Sequence, residues 1–95
     1  MKAIHIIQEV QLVDIDNTLE ALQKAVDGYI ECVYLDDRTI MLVNEEGALR
    51  GMPQNPIASL LAQQLIFGPA LIVGAEGEDF TDVPEGVTVL LGMHN

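Results

Sequence analysis

The stretch "YIECVYLDDRTIMLV", residues 29 to 43, decides the fold of this chain. Its first half alternates with period two and predicts a strand over residues 29 to 35. The residues "DDR" then predict a turn, and residues 39 to 43 predict an antiparallel partner strand. Because this second strand is almost continuously apolar, we expect it to lie in the centre of a sheet, covered on both faces.

The residues on the N-terminal side predict a further hairpin and a helix. Residues 2 to 8 are rich in β-branched side chains and predict a strand, with which residues 9 to 15 are expected to pair. A helix is predicted over about residues 18 to 27, with Asn17 as its N-cap. Gly28 follows at the place where a helix often ends in a left-handed residue.

The segment "NEEGALRGMPQNP", residues 44 to 56, predicts a turn followed by a second helix. Gly47 is expected in the left-handed position of a type I turn that leads into a short strand over about residues 49 to 52. Asn55 predicts an N-cap, and Pro56 suits the first helical position. The apolar face of this second helix is predicted to comprise Ile57, Leu60, Leu61 and Leu65.

The C-terminal third predicts two more strands, separated by an acidic loop. Residues 70 to 74 are uniformly apolar and predict a buried strand, and residues 87 to 92 predict a last one. No repeat or linker divides the chain, so residues 1 to 95 form one domain. The predicted fold class is α+β, with a mainly antiparallel sheet of five to six strands and two helices on one face.

The charge of the chain excludes several functions. Fifteen acidic residues against four basic ones give a net charge of −11. Direct nucleic-acid binding and binding to an anionic membrane are not expected, because both depend on clustered Lys and Arg. The expected partners are basic proteins, cations, or small ligands held where local donors outweigh the global field.

Cysteine usage and hydropathy point to a cytoplasmic protein. Cys32 is the single cysteine, so no intrachain disulfide is possible, and its apolar setting predicts a buried position beside Ile30 and Tyr34. The N-terminal residues predict a first strand rather than a signal peptide. No apolar run approaches the roughly 20 residues that a membrane span needs.

The titratable residues do not form a recognisable catalytic pattern. Glu45 and Glu46 fall at a predicted turn, where both carboxylates are expected to face water. The acids of residues 76 to 82 are a candidate cation site, but their spacing matches no known calcium loop. His5 and His94 lie at opposite ends of the chain. We therefore predict no enzyme activity, no resident metal and no cofactor.

The best candidate binding site lies in residues 44 to 56. Arg50 precedes the predicted start of the second helix, where free amide groups and the helix dipole attract anions. We therefore expect Arg50 and Asn55 to bind a small anionic ligand such as a phosphate. Asn44 and Glu46 of the same segment complete the candidate ligand-binding residues.

Several short motifs resemble those of a known family. In order along the chain they are Lys2 to Ile4, Leu19 to Gln23, Gly28 to Glu31, Asn44 to Gly47, Pro53 to Asn55 and Gly68 to Ala70. This pattern is similar to that of a family of small phage and mobile-element proteins known only as a domain of unknown function. Many relatives are expected to carry an arginine after the Pro-x-Asn motif, where this chain has Pro56.

The resemblance implies a genomic setting rather than a reaction. Small acidic phage proteins often counteract host defence, so the first hypothesis is a non-enzymatic protein that binds a host protein. The second is a homo-oligomer that sequesters a nucleotide-like signal near Arg50 and Asn55, since subunit interfaces create pockets. The third is a metal-dependent hydrolase that uses the acids of residues 76 to 82.

Overall fold

The computed structural model describes residues 1–93. The strands are β1 (Lys2–Ile6), β2 (Val10–Asp14), β3 (Ile30–Asp36), β4 (Thr39–Asn44), β5 (Ala70–Glu76) and β6 (Asp79–Thr81). The helices are α1 (Leu19–Val26), α2 (Pro56–Ala62) and α3 (Glu85–Leu90).

All six strands form one antiparallel sheet. The strand order is β2-β1-β5-β4-β3, and β6 pairs with the C-terminal end of β5. The predicted α+β class and the predicted sheet of five to six strands are therefore confirmed. β2 and β3 are left at the two edges of the sheet, and β5 lies in its centre.

The core lies on both faces of β4, as its sequence predicted. Every residue of β4 is buried. Met41 and Val43 belong to one apolar cluster, and Ile40 and Leu42 belong to the cluster on the opposite face. This division follows from the period-two alternation of side chains along a strand.

The helices cover both faces of the sheet, rather than the single face that was predicted. Leu22 and Val26 of α1 pack into the cluster that contains Leu42. Ala58 of α2 and Val87 of α3 pack into the cluster that contains Met41. A sheet whose central strands are apolar on both sides needs a layer on each side, which explains this arrangement.

The two ends of α1 each differ from the predicted ends by one residue. Thr18 is the N-cap, and its hydroxyl accepts a hydrogen bond from the Ala21 N–H at 3.2 Å. The Asn17 side chain instead donates to the Phe80 carbonyl at 3.0 Å. At the other end Asp27 adopts the left-handed conformation with φ 61°.

The C-terminal residues form α3, so the predicted strand over residues 87 to 92 is wrong. Val87 and Leu91, which are four residues apart, both pack on the core, and this spacing suits a helix. The Thr88 hydroxyl donates to the Glu85 carbonyl at 2.7 Å within the helix. The predicted loop between β5 and this segment contains β6. His94 lies outside the described residues.

Two predictions about burial are also wrong. Cys32 is exposed, because β3 is an edge strand of the sheet. Leu60 and Leu65 are 79% and 67% exposed, although both were assigned to the buried face of the second helix. Within residues 1–93, no helix is long and apolar enough to cross a membrane.

Candidate functional site

The segment that follows β4 folds back over one end of the sheet as consecutive turns. The Arg50 N–H donates to the Glu46 carbonyl at 2.8 Å, and the Met52 N–H donates to the Gly47 carbonyl at 2.9 Å. No strand forms over residues 49 to 52, because these local bonds already use the backbone groups that a strand would need.

Gly47 is needed for its small size and not for a left-handed conformation. A Cβ atom at this position would lie 2.2 Å from the Phe67 carbonyl oxygen. Gly47 does not have a positive φ. The loop before β5 therefore packs directly on the backbone of the turn, which fixes residues 44 to 52 against the body of the protein.

Asn44 joins the end of β4 to the end of α1. Its side-chain amide donates to the carbonyl oxygens of Val26 and Asp27, at 3.0 and 2.9 Å. Its side-chain oxygen accepts from the Glu46 N–H at 2.8 Å. Asn44 is buried, and all of these contacts are internal. It satisfies carbonyl groups that the last turn of α1 leaves without helical partners.

Arg50 contacts the same end of α1 from the solvent side. Its Nη1 donates to the Asp27 carbonyl at 2.7 Å, and its Nη2 lies 3.7 Å from the Asp27 carboxylate. A cation at a helix C-terminus also interacts favourably with the helix dipole. Gly28, at φ 153°, permits the approach of both side chains, because a Cβ atom there would lie 3.0 Å from Arg50 Nη1 and 2.7 Å from the Asn44 amide nitrogen.

Asn55 caps α2, as the sequence predicted, and also fixes this helix to the sheet. Its side-chain oxygen accepts from the Ala58 N–H at 3.1 Å. Its amide donates to the carbonyl oxygens of Ile6 and Gly68, at 2.9 and 3.0 Å. The side chain is therefore fully engaged in holding α2, the end of β1 and the start of β5 together.

A cleft of about 560 Å³ lies between these anchored elements. Its volume is in the range of small-ligand and side-chain pockets. Its lining is mainly apolar, with a few amide groups and one carboxylate. The lining residues are Ile7, Gln8, Asp27, Met52, Pro53, Gln54, Asn55, Pro56, Ile57, Gly68 and Pro69.

The structure separates the predicted site residues into two groups. Asn44, Glu46 and Arg50 gather around the end of α1, where Glu46 is exposed and contributes its backbone N–H and carbonyl groups. Asn55 lines the cleft. Asp27 connects the two groups, because it binds Arg50 and also lines the cleft.

Sequence reasoning missed most of the cleft. Ile7 and Gln8 follow the end of β1, whereas Gly68 and Pro69 precede β5. The cleft is therefore formed by segments that are far apart in the sequence. The exposure of Ile7, at 54%, is a signal that only the structure supplies. Asp27 carried a sequence signal, because it stands directly before Gly28 at a helix end.

Two of the other candidate side chains, those of His5 and Asp82, make structural contacts. The His5 Nε2 lies 2.9 Å from the Ala25 carbonyl. Glu76 and Asp79 are opposite each other in the backbone register of the β5–β6 hairpin. The Asp82 carboxylate accepts from the Lys2 N–H at 2.8 Å. Within residues 1–93, no three His, Cys, Asp or Glu side chains are grouped so as to hold a metal ion.

Comparison with known proteins places the chain in a family. Neither the curated proteins nor the solved structures contain a match to it. A family model does match, and it covers residues 1–92, which is nearly the whole chain. The chain therefore belongs to the family described as domain of unknown function DUF3846.

Proposed function

We propose that the protein is a non-enzymatic binding protein that occupies another protein, and that its cleft takes an apolar, basic segment of that partner. The observation that carries this proposal is the mainly apolar cleft at the end of the sheet. Exposed apolar side chains around a depression are typical of surfaces that bind other proteins.

The charge of the protein favours a basic partner. The net charge is −11, so the long-range field attracts cations and repels anions. The Asp27 side chain is 70% exposed and is 3.7 Å from its Arg50 neighbour, so it remains accessible to a second cation. An arginine or lysine of the partner would lie beside Asp27, with a neighbouring apolar side chain in the cleft.

The lining of the cleft supports binding rather than catalysis. Asp27 is the one titratable side chain among the described residues that form it. Covalent catalysis needs a nucleophile beside an activating group, and these lining residues supply no such pair. Proline and amide side chains instead provide a rigid surface with a few hydrogen-bonding groups.

The resemblance to phage and mobile-element proteins supports a host protein as the partner. In that setting the protein would act in the host cytoplasm and counteract a defence protein by occupying it. This part of the proposal rests on an association with the family and not on the chemistry of the cleft.

The first test measures binding of short synthetic peptides that combine one large apolar residue with none, one or two arginines. Affinity for wild type is expected to rise with each arginine and to fall at high ionic strength. Ile7→Asn, in the cleft, is expected to weaken binding at least about tenfold, which corresponds to the loss of one buried apolar side chain.

Two matched controls separate the cleft from general surface effects. Leu19→Asn alters a similarly exposed apolar residue on α1, and Glu20→Gln removes one charge from the same helix. Neither is expected to change peptide binding, whereas Asp27→Asn is expected to weaken only the arginine-containing peptides. Binding that is insensitive to Ile7→Asn and Asp27→Asn would refute the proposal.

A second candidate function is the binding and sequestering of a small molecule in the same cleft. The volume of about 560 Å³ favours it, because this is sufficient for a nucleotide-sized ligand. Thermal-shift measurements with nucleotides and with neutral or cationic compounds test it. A rise in melting temperature that Ile7→Asn abolishes would support this candidate, and no rise with any compound would reject it.

A further inference from the structure

β3 is a long edge strand whose outer side is open. It spans Ile30–Asp36 and pairs only with β4 in the sheet order. The Glu45 N–H donates to the Tyr29 carbonyl at 2.9 Å, which shows that Tyr29 directs its carbonyl toward the β4 side. Along an antiparallel pair, every second residue directs its backbone N–H and C=O groups toward the partner strand. Glu31 and Val33 therefore also direct theirs toward β4.

The alternate residues therefore direct their backbone groups outward. These residues are Ile30, Cys32 and Tyr34, and each presents one N–H and one C=O group at the free edge. The bulge between Tyr34 and Asp36 ends the regular edge at that point. Edges of this kind bind a further strand unless charge, proline or a covering element prevents it.

We propose that two copies of the chain pair through β3, antiparallel and about a two-fold axis at Cys32, so that their sheets form one continuous sheet. In this register Ile30 lies opposite Tyr34 of the partner subunit, and Cys32 lies opposite Cys32 of the partner subunit. The three outward residues of each copy then exchange six hydrogen bonds, so every outward N–H and C=O group is satisfied.

The side chains favour this register over its neighbours. Ile30 and Tyr34 form an aromatic–aliphatic cross-strand pair, which stabilises a sheet. Moving the axis to Glu31 would place two glutamates directly opposite each other and would leave part of the edge unpaired. With the axis at Cys32, Glu31 instead lies opposite Val33 of the partner subunit.

Exposed apolar residues beside β3 point to a second copy as the occupant. Tyr34 is 70% exposed on the strand, and Leu65 lines a groove together with Glu31 and Val33. α2 packs over β3, and its Leu60 is 79% exposed. A two-fold axis perpendicular to the sheet keeps both copies of α2 on the same face, so Leu60 and Leu65 of each copy approach those of the other.

The opposite edge of the sheet is less suitable for the same contact. The outward residues of β2 include Asp14, since the Ile15 N–H donates inward to the Met1 carbonyl. The Asp14 carboxylate is held by the N-terminal amine at 3.0 Å. A charged, engaged residue at the edge hinders the addition of a strand.

The charges make the predicted dimer dependent on salt. Two copies of net charge −11 repel each other, and the two Glu31 side chains occupy diagonal positions about 7–8 Å apart. Added salt screens this repulsion. The dimer is therefore expected to become more stable at high ionic strength, and Glu31→Gln is expected to tighten it several-fold.

Analytical ultracentrifugation of the whole chain over a range of concentration and ionic strength tests the proposal. Wild type is expected to form a dimer that strengthens with salt. Cys32→Asp, which places two carboxylates at the axis, is expected to be monomeric. Gln11→Asp, an exposed position on the other edge strand, is the matched control and is expected to remain dimeric.

A short bis-maleimide provides a second measurement, because each chain has a single thiol. Opposed residues in an antiparallel pair lie about 5.5 Å apart, so the reagent is expected to join two chains in high yield. A wild type that stays monomeric at high salt would overturn the proposal. A dimer that survives Cys32→Asp, or one that Gln11→Asp disrupts, would also overturn it.

Discussion

The side-chain amide of Asn44 lies 2.9 Å from the backbone carbonyl oxygen of Asp27, so the last residue of β4 caps the end of α1. This bond joins two segments that are 17 residues apart. It also places Asp27 where it contacts Arg50 and lines the cleft. The geometry of the candidate site therefore depends on a buried asparagine whose amide and oxygen bind backbone groups of the protein itself.

Replacing Asn44 is expected to destabilise the protein. Asn44→Ala removes the side-chain partner of the Val26 carbonyl and of the Glu46 N–H, and it leaves Arg50 as the side-chain donor to the Asp27 carbonyl, which costs about 1–3 kcal/mol of unfolding free energy. Asn44→Asp is expected to cost more, because a carboxylate would face the same carbonyl oxygens. Urea denaturation measures both, and the exposed Asn17→Ala is the control with a smaller expected loss.

The two roles of Asn55 can be separated by substitution. Asn55→Asp preserves the cap on the Ala58 N–H but cannot donate to the Ile6 and Gly68 carbonyls. Asn55→Ala loses the cap and the two donated hydrogen bonds. Because the charge of Asp would be buried against carbonyl oxygens, we expect Asn55→Asp to be at least as destabilising as Asn55→Ala. A simple capping role would instead leave Asn55→Asp near wild-type stability.

Alanine substitutions at two glycines are expected to change the stability of the protein in opposite directions. Gly47→Ala places a methyl group against the Phe67 carbonyl and is expected to cost about 1–3 kcal/mol or more. Gly86→Ala, in α3 with open space around it, is expected to stabilise the protein by about 0.5–1 kcal/mol. Thermal denaturation of both variants against wild type tests the pair. Equal effects would contradict the close contact at Gly47.

The thiol of Cys32 is expected to react more slowly than an unperturbed cysteine. Partial burial and the nearby Glu31 carboxylate both raise its pKa, and burial has the larger effect. A raised pKa keeps the thiol protonated to higher pH, so the rate of alkylation by iodoacetamide is expected to rise at a pH above the usual value of about 8.5.

Glu31→Gln removes the nearby carboxylate, which is the smaller of the two causes that raise the Cys32 pKa. The midpoint of the pH–rate profile is expected to move toward lower pH without reaching the value of a free thiol. Low protein concentration and low ionic strength keep the chain monomeric in this measurement, and Glu20→Gln is the control. An unchanged midpoint in Glu31→Gln would show that the carboxylate does not affect the thiol.

Arg50 is expected to contribute modestly to stability. Its side chain is 44% exposed, so Arg50→Ala is expected to cost about 0–1 kcal/mol, as is usual for solvated ion pairs. Because Asp27 already engages this guanidinium, we expect inorganic phosphate to raise the melting temperature no more than chloride does at equal ionic strength. A phosphate-specific rise that Arg50→Ala abolishes would identify Arg50 as an anion site.

The sequence predicted the elements whose signals are local and strong. The apolar run of β4 predicted a central strand, and Asn55 followed by Pro56 predicted the start of α2. Each signal is contained in a few neighbouring residues, namely an uninterrupted apolar run and an N-cap followed by a proline with a preset φ.

The wrong predictions concern residues whose structure depends on distant neighbours. Residues 87 to 89 are all β-branched, which favours a strand, but the spacing of Val87 and Leu91 lets a helix cover the sheet. Cys32 alternates as a buried residue would, yet its strand lies at the edge. Neither the strand order nor the position of the cleft can be obtained from local patterns.

The position of β5 has a consequence for biosynthesis. β5 pairs with β1 on one side and β4 on the other, although it is made after both. A nascent chain that ends before residue 70 has two hairpins, each with an inner edge exposed, and no strand to join them. Stable folding must therefore wait for late translation, and a nick between α2 and β5 is expected to leave two fragments that fold only together.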